Sequence, residues 1–471
     1  MPGIDKYFKI RHLYSRAGFG LSASELNDLS HNSLSSIVKN LFKQSLPIDT
    51  LKVVDSNTLD QDIPGKSPEE LKMMKEDLRK ESREKIKALN AQWLNKMINT
   101  KAALREKMTL FWHGHFACEN GNAFYVQNQI NTLRTFALGK FGDLLMAVSK
   151  DPSMLAYLNN RQNKKNSPNE NFAREVMELF TLGRGNYTEH DIKNAAKAFT
   201  GWNFKTDGSF VINQKQHDDG EKIFFEKTGN FSGEDILTMV LQNKKTALFL
   251  TRKIYSYFVN DNPNEKIVNQ LADGFYNSGY DIGKLMEEIF KSDWFYYPEN
   301  IGKRIKNPIE LLVELQKTFG LKFEKEQSQL FIQKALGQVL FYPPNVAGWK
   351  EGKNWIDSSS LMFRLRLPDL IFKSAEINIQ VKHDGDVNTE FLSKGAGKNF
   401  NVTADWQSFT AQFDNVKEND LLDALINYLL AYKLTKTQKE LLSTKMVKTS
   451  KESMIKSLAI AITELPEYQM C

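Results

Sequence analysis

The segment from Asn169 to Trp202 constrains the fold of this chain more than any other. It reads Asn-Glu-Asn-Phe-Ala-Arg-Glu-Val-Met-Glu-Leu-Phe-Thr-Leu-Gly, then Asn-Tyr-Thr-Glu, then Ala-Lys-Ala-Phe-Thr-Gly-Trp. At about 100° per residue, Phe172, Ala173, Val176, Met177, Leu179 and Phe180 fill a wide apolar arc, the pattern of a helix packed into a core. Asn171, Arg174, Glu175 and Glu178 fall on one narrow stripe of the same helix. Ser167-Pro168-Asn169-Glu170 sets a capping hydroxyl three residues before a glutamate and predicts the helix start, with Gly183 as its stop. Thr188 then caps a second helix that ends near Gly201.

The same signals recur along the chain. Ser22 and Glu25 form a capping box, and Ser67-Pro68-Glu69-Glu70 opens a long charged helix running to about Thr100. Leu71, Met74, Leu78, Ile86, Leu89, Trp93 and Met97 are its packed stripe. A further helix over 101–113 is expected to end near Gly114. Helical periodicity returns at 123–150, 152–160, 234–241, 245–259, 264–275, 281–291 and 307–319. Between 203 and 233, Phe204, Phe210, Ile212, Phe224 and Phe225 alternate with turn residues, which suits short strands or an ordered loop. Residues 376–418 mix Asn, Gly, Lys and Asp with alternating Ile and Val, and three helical segments broken near Leu434 and Thr449 follow. The expected fold is mainly α: a large multi-helical domain over 1–370, a small β-rich or irregular insertion over 371–418, and a C-terminal helical segment over 419–471 packed on the main domain.

Composition narrows the class. A hydrophobic content of 41% and a charged content of 25% over 471 residues suffice for a large buried core. The net charge of +6 is spread over interleaved Lys, Arg, Asp and Glu, so no basic stripe for nucleic acid stands out. The two cysteines, Cys118 and Cys471, exclude a disulfide framework and a zinc-finger spacing. No stretch reaches about 18 uninterrupted apolar residues, so no transmembrane segment is expected. Met1 to Ile10 lack the apolar run of a secretory signal, which gives a cytoplasmic expectation.

Several constellations carry chemistry. Arg174, Glu175 and Glu178 share a helix face, where the glutamates would act as a general acid and base or as ligands, with Arg174 depressing the pKa of one. Intrahelical pairing, as of Glu170 with Arg174, is the structural alternative. His113 and His115 flank Gly114; if the helix ends there, both rings turn toward one ligand. Together with Glu175 and Glu178 they would then suit a divalent transition metal such as zinc, manganese or iron. The structural alternative, two histidines at a helix end inside the aromatic cluster that includes Trp112, carries more weight. His217-Asp218-Asp219-Gly220 places a histidine beside two carboxylates, as in an oriented base, although an Asp-Gly turn is the commoner meaning. Pro343 to Trp349, with Asn345, and Trp355 to Asp357, followed by Leu361 and Arg364, form an aromatic loop of the kind that lines sugar or other flat-ligand pockets, although paired tryptophans also serve as cores for long loops. Trp112, beside the histidines, and Trp202, which closes the stripe-bearing segment, are further binding candidates.

These blocks carry a resemblance. His-Leu-x-x-Arg-Ala-Gly-Phe-Gly at 12–20, Phe-Trp-His-x-His-Phe at 111–116, Asp-Pro-x-Met-Leu-x-Tyr-Leu at 151–158, the Asn169–Trp202 segment, His217 to Gly220 and Pro-Pro-Asn-Val-x-Gly-Trp from 343 together resemble the bacterial domain-of-unknown-function family 1800. The resemblance implies a shared, mainly helical fold in which these blocks converge. Many members are thought to be exported, which sets export beside the cytoplasmic expectation, and the family supplies no catalytic assignment. Two functional expectations follow from the residues. One is a hydrolase of a polymer or conjugate using Glu175, Glu178, His113 and His115, with or without a metal. The other is a non-catalytic binding or assembly protein whose aromatic loops hold a glycan or protein partner.

Overall fold

The computed structural model describes residues 6–57, 67–377, 399–431 and 433–471. Helices dominate because the capping signals operate nearly everywhere they are present. The first group is α1 (Lys6–Ala17), α2 (Ala23–Ser30), α3 (Leu34–Gln44), α4 (Pro68–Asn99), α5 (Ala103–His115), α6 (Ala123–Phe136), α7 (Phe141–Ser149) and α8 (Pro152–Tyr157). Ser22 and Ser67 each accept the N–H of the glutamate three residues on, while that glutamate accepts the cap's own N–H, the reciprocal bonding their spacing predicts. Pro68 at the first position of α4 gives up no intrahelical bond.

The stripe helix departs from expectation at its start and in the geometry of its second half, and stops where expected. Its first α-helical residues are α9 (Asn171–Glu175), and Ser167 caps nothing. Asn163 Oδ1 accepts the Asn169 N–H at 2.9 Å and Asn169 Oδ1 accepts the Asn171 N–H at 2.9 Å, so side-chain amides start the helix three residues late. From Val176 to Thr181 the helix widens into a π turn, where the Thr181 hydroxyl donates to the Val176 carbonyl at 2.6 Å. Gly183, at φ +75°, ends it. Thr188 and Asp191 form the capping box of α10 (Glu189–Ala198).

Residues 202–229 form two antiparallel hairpins, β1 (Trp202–Phe204) with β2 (Phe210–Ile212), and β3 (Lys222–Phe224) with β4 (Lys227–Gly229). The chain continues through α11 (Gly233–Gln242), α12 (Lys244–Phe258), α13 (Glu265–Asn277), α14 (Ile282–Lys291) and α15 (Pro308–Phe319), all at the expected positions. Beyond them, β5 (Lys322–Phe323) leads to α16 (Glu326–Leu336) and α17 (Ser358–Phe372). Leu361 and Arg364, expected in the aromatic loop, lie on α17, because Asp357 caps it by accepting the Ser360 N–H. The expected insertion falls in part on 378–398, outside the described residues. Its described end supplies β6 (Val402–Thr403), paired with β5, and α18 (Trp406–Ala411).

The chain ends in α19 (Leu421–Leu429), α20 (Lys436–Thr444) and α21 (Lys451–Thr463). α21 packs on α17, α18 and α19, and Arg11 of α1 donates to the carbonyls of Asn427 and Leu430. One continuous apolar cluster runs from Ile10 to Tyr468. No helix among the described residues is long and apolar enough to cross a membrane.

Candidate functional site

The charged stripe splits by residue. Arg174 turns to α10, where its two Nη atoms reach the two carboxylate oxygens of Glu189 at 2.8 Å each, and Nη2 also meets Glu170 at 3.1 Å. It staples α9 to α10. Glu178 accepts from Arg184 Nε at 2.5 Å and from the Tyr187 hydroxyl at 2.9 Å. Burial pushes its carboxyl up, but these two hydrogen bonds outweigh it and hold the pKa below the usual carboxylate range. Glu175 is half-buried with no hydrogen-bond partner among the described residues, and burial, then the nearby charge of Glu178, push its pKa up. The glutamates are thus driven in opposite directions, Glu175 first by burial and Glu178 by its bonds to Arg184 and Tyr187. Both belong to the short loop after Gly183 and were not identified from the sequence.

The histidines do not converge. Gly114 stays helical, so the two rings leave α5 on opposite sides. His113 Nε2 accepts the Phe341 N–H at 3.1 Å, its ring packs against Trp93, Phe341 and Trp349, and burial lowers its pKa to about 3. His115 Nε2 donates to the Phe180 carbonyl at 3.0 Å, satisfying a π-turn oxygen, while burial and then Lys253 keep the ring neutral. The expected shell of His113, His115, Glu175 and Glu178 is therefore not assembled, and no group of three His, Cys, Asp or Glu side chains among the described residues is placed to hold a metal ion.

Trp112 and Trp202 are corrections as binding residues. Trp112 is fully buried among Phe111, Phe116 and Phe141, with its indole N–H on the Ala137 carbonyl at 3.1 Å. Trp202 is buried against Phe172, Phe199 and Phe210, and Gly233 leaves it room that a Cβ would fill. His217 belongs to a turn: its Nδ1 donates to the Thr200 carbonyl at 2.8 Å, and Nε2 stands 3.9 Å from Asp219. Lys222 organises that turn by donating to the carbonyls of Asp218 and Gly220 at 2.7 and 2.9 Å.

The aromatic loop does build a cavity. Asn345 stays exposed as a turn former, accepting the Ala347 N–H on its side chain and the Gly348 N–H on its carbonyl. Gly348, at φ +86°, lies against the carbonyl of Gly114, which brings two of the motif blocks into contact. Trp349 and Trp355, only 8% and 6% exposed, then wall a small hollow of about 60 Å³ together with Phe111, Tyr257, Asp261, Arg304 and Asn307. Neither Glu175 nor Glu178 lines it.

Buried charge fixes the cleft floor. Glu310 bonds Arg304 Nη2 at 2.5 Å and the fully buried Lys107 ammonium at 2.5 Å. Asn307 caps α15 and donates to the Tyr257 hydroxyl at 3.2 Å, and the Arg304 guanidinium lies over the Tyr257 ring at 5.3 Å. Arg304 Nε is buried without a partner. Asp261 is half-buried and has no hydrogen-bond or ion-pair partner among the described residues; burial pushes its carboxyl up, against the pull of Arg304 and Arg16. An unpartnered carboxylate, a buried guanidinium and two indoles around one hollow can hold a hydroxyl-rich ligand by stacking and by donated and accepted hydrogen bonds.

Asp261, Tyr257, Arg304 and Asn307 escaped the sequence reading. Only Asn307 had a local signal, its capping box with Glu310. No curated protein and no solved structure matches the chain. A family model matches residues 12–470, nearly all of it, and the chain belongs to that family, described as "Protein of unknown function (DUF1800)".

Proposed function

We propose that the protein binds a glycan in the cleft walled by Trp349 and Trp355. The observation that supports this reading is that both indoles share one hollow with the unpartnered carboxylate of Asp261. Sugar rings present apolar faces that stack on indoles and hydroxyls that donate to carboxylates. A glycan array probed with the full chain tests the reading, followed by titration of the hit with tryptophan fluorescence as readout. Trp355 is only 6% exposed, so Trp355→Phe trims packing as well as the indole and is expected to weaken binding with some loss of melting temperature, whereas Asp261→Asn is expected to weaken binding alone. Absence of any glycan binding, or binding indifferent to Trp355→Phe and Asp261→Asn alike, would overturn it.

A second reading, hydrolysis of a polymer or conjugate, rests on Glu175 and Glu178. Their opposite displacements are in the sense an acid and base pair needs, Glu175 the weaker acid that would donate to a leaving group and Glu178 the carboxylate that would activate water. The π turn that carries Glu178 is a distortion common at functional sites. Glu175→Gln and Glu178→Gln abolishing turnover of the array hit, without loss of fold, is the result that would support it.

A further inference from the structure

Asp261 lines two hollows. One is the cleft of Trp349 and Trp355; the other, of about 660 Å³, is lined by Tyr255, Trp294, Tyr297, Asn262 and Lys353 among others. The loop from Trp349 to Trp355 contributes to both, Gly352 and Trp355 to the first and Lys353 to the second, and it packs closely on Asp261: Gly352, at φ +55°, has its missing Cβ position 2.9 Å from Asp261 Oδ2. Tyr255 and Trp294 stack at 5.8 Å with 20° between planes, and Tyr297 is 47% exposed, so the second hollow has an aromatic wall of its own. Its floor is pinned by Asn260, which donates to the Glu299 carbonyl at 2.7 Å and to Asn300 Oδ1 at 3.2 Å.

We propose that the two hollows are one groove crossing Asp261, and that it binds a linear, uncharged glycan over several sugar residues, with Asp261 contacting the sugar at the crossing. The proposal rests on the glycan reading of the first cleft and extends it from a single unit to a chain. Aromatic walls on both sides of a central carboxylate repeat one kind of subsite along a line, as a polymer requires. The lining charges are mixed, Arg304, Lys303, Lys350 and Lys353 against Asp261, Glu299 and Glu351, so no single sign selects a polyanion. Helices α5 and α12 and the loops beside them form most of the walls, and the one β-bridge there among the described residues, Ile305 with Met470, is already paired, which leaves little strand edge for an extended peptide.

The test titrates the full chain with the dimer and hexamer of three series: β-1,4-linked glucose, α-1,4-linked glucose and β-1,4-linked N-acetylglucosamine. In one series the hexamer is expected to bind about tenfold more tightly than the dimer, the gain of one added stacking subsite. Tyr297→Ala, at an exposed position in the second hollow, should bring the hexamer down to the dimer's affinity and leave the dimer unchanged. Trp355→Phe should weaken both. A hexamer no tighter than the dimer, or one unaffected by Tyr297→Ala, would overturn the groove while leaving the single-cleft reading standing. Failure of every series to bind would overturn both.

Discussion

Gly348 packs directly against the main-chain carbonyl of Gly114, and this contact brings the loop of Trp349 onto helix α5. A Cβ at 348 would collide with that oxygen, and φ is +86° there. Gly348→Ala therefore meets both a steric clash and backbone strain, and a loss of about 2 kcal/mol or more is expected. Gly337, at φ +88° with nothing within 4 Å of its Cβ position, supplies the control. Gly337→Ala should lose only the conformational part, about 1 kcal/mol. Urea unfolding of the two variants separates the contributions; equal losses would mean that the Gly114 contact costs nothing to break.

The Lys107–Glu310–Arg304 cluster beneath the cleft predicts acid sensitivity. Burial alone would raise the Glu310 carboxyl, but Arg304 and then Lys107 outweigh it and hold its pKa at about 2, from an ordinary 4.5. A depressed folded-state value means that the stabilisation is complete above the unfolded value and fades as pH falls from 4.5 through about 2. Glu310→Gln strands two buried cations, and a loss of about 3–5 kcal/mol at neutral pH is expected. It should also flatten the acid limb of the stability profile measured by thermal melts. An unchanged limb would assign the acid transition to other carboxylates.

How much of this was legible depended on whether the deciding contact was local. Ser22, Ser67 and Thr188 cap helices because a capping box needs only residues three apart. Ser167 has the same letters and fails, since Asn163 and Asn169 supply the amide oxygens that start α9 later. Gly114 reads as a helix stop and is instead the place where a distant loop lands. Trp349 and Trp355 were legible as an aromatic, Pro/Gly-rich loop, but such letters suit the core of a long loop as well as a pocket wall, and the two side chains are buried beside the hollow they line. Asp261 was not, because its significance lies in Arg304, Arg16 and Gly352, which only the tertiary fold brings to it.

The division into a main domain over 1–370 and a packed C-terminal segment is a proposal that limited proteolysis can test. Ile305 pairs with Met470 in an antiparallel bridge, the Cys471 N–H donates to the Arg304 carbonyl at 2.8 Å and the Lys306 N–H to the Gln469 carbonyl at 2.9 Å. A chain nicked between 290 and 310 is therefore expected to stay together on native size exclusion. Release of a separately folded fragment from such a cut would place a domain boundary in the centre of the chain.

Glu175 and Glu178 separate a site from a structural ion-pair stripe by the sign of their effect on stability. Glu175 has its folded-state pKa raised, by burial first and by Glu178 second, so its ionised form opposes folding at neutral pH. Stability should consequently rise as pH falls through that raised value, and Glu175→Gln should leave the melting temperature at pH 7 unchanged or higher. Glu178 pairs with Arg184, whose side chain is 85% exposed, so Glu178→Gln should cost no more than about 1 kcal/mol. A stripe that merely neutralised Arg174 in a core would behave otherwise, with either substitution losing about 3 kcal/mol or more. Thermal melts of both variants at neutral pH decide between the two, and large losses in both would end the case for an acid and base pair on this helix.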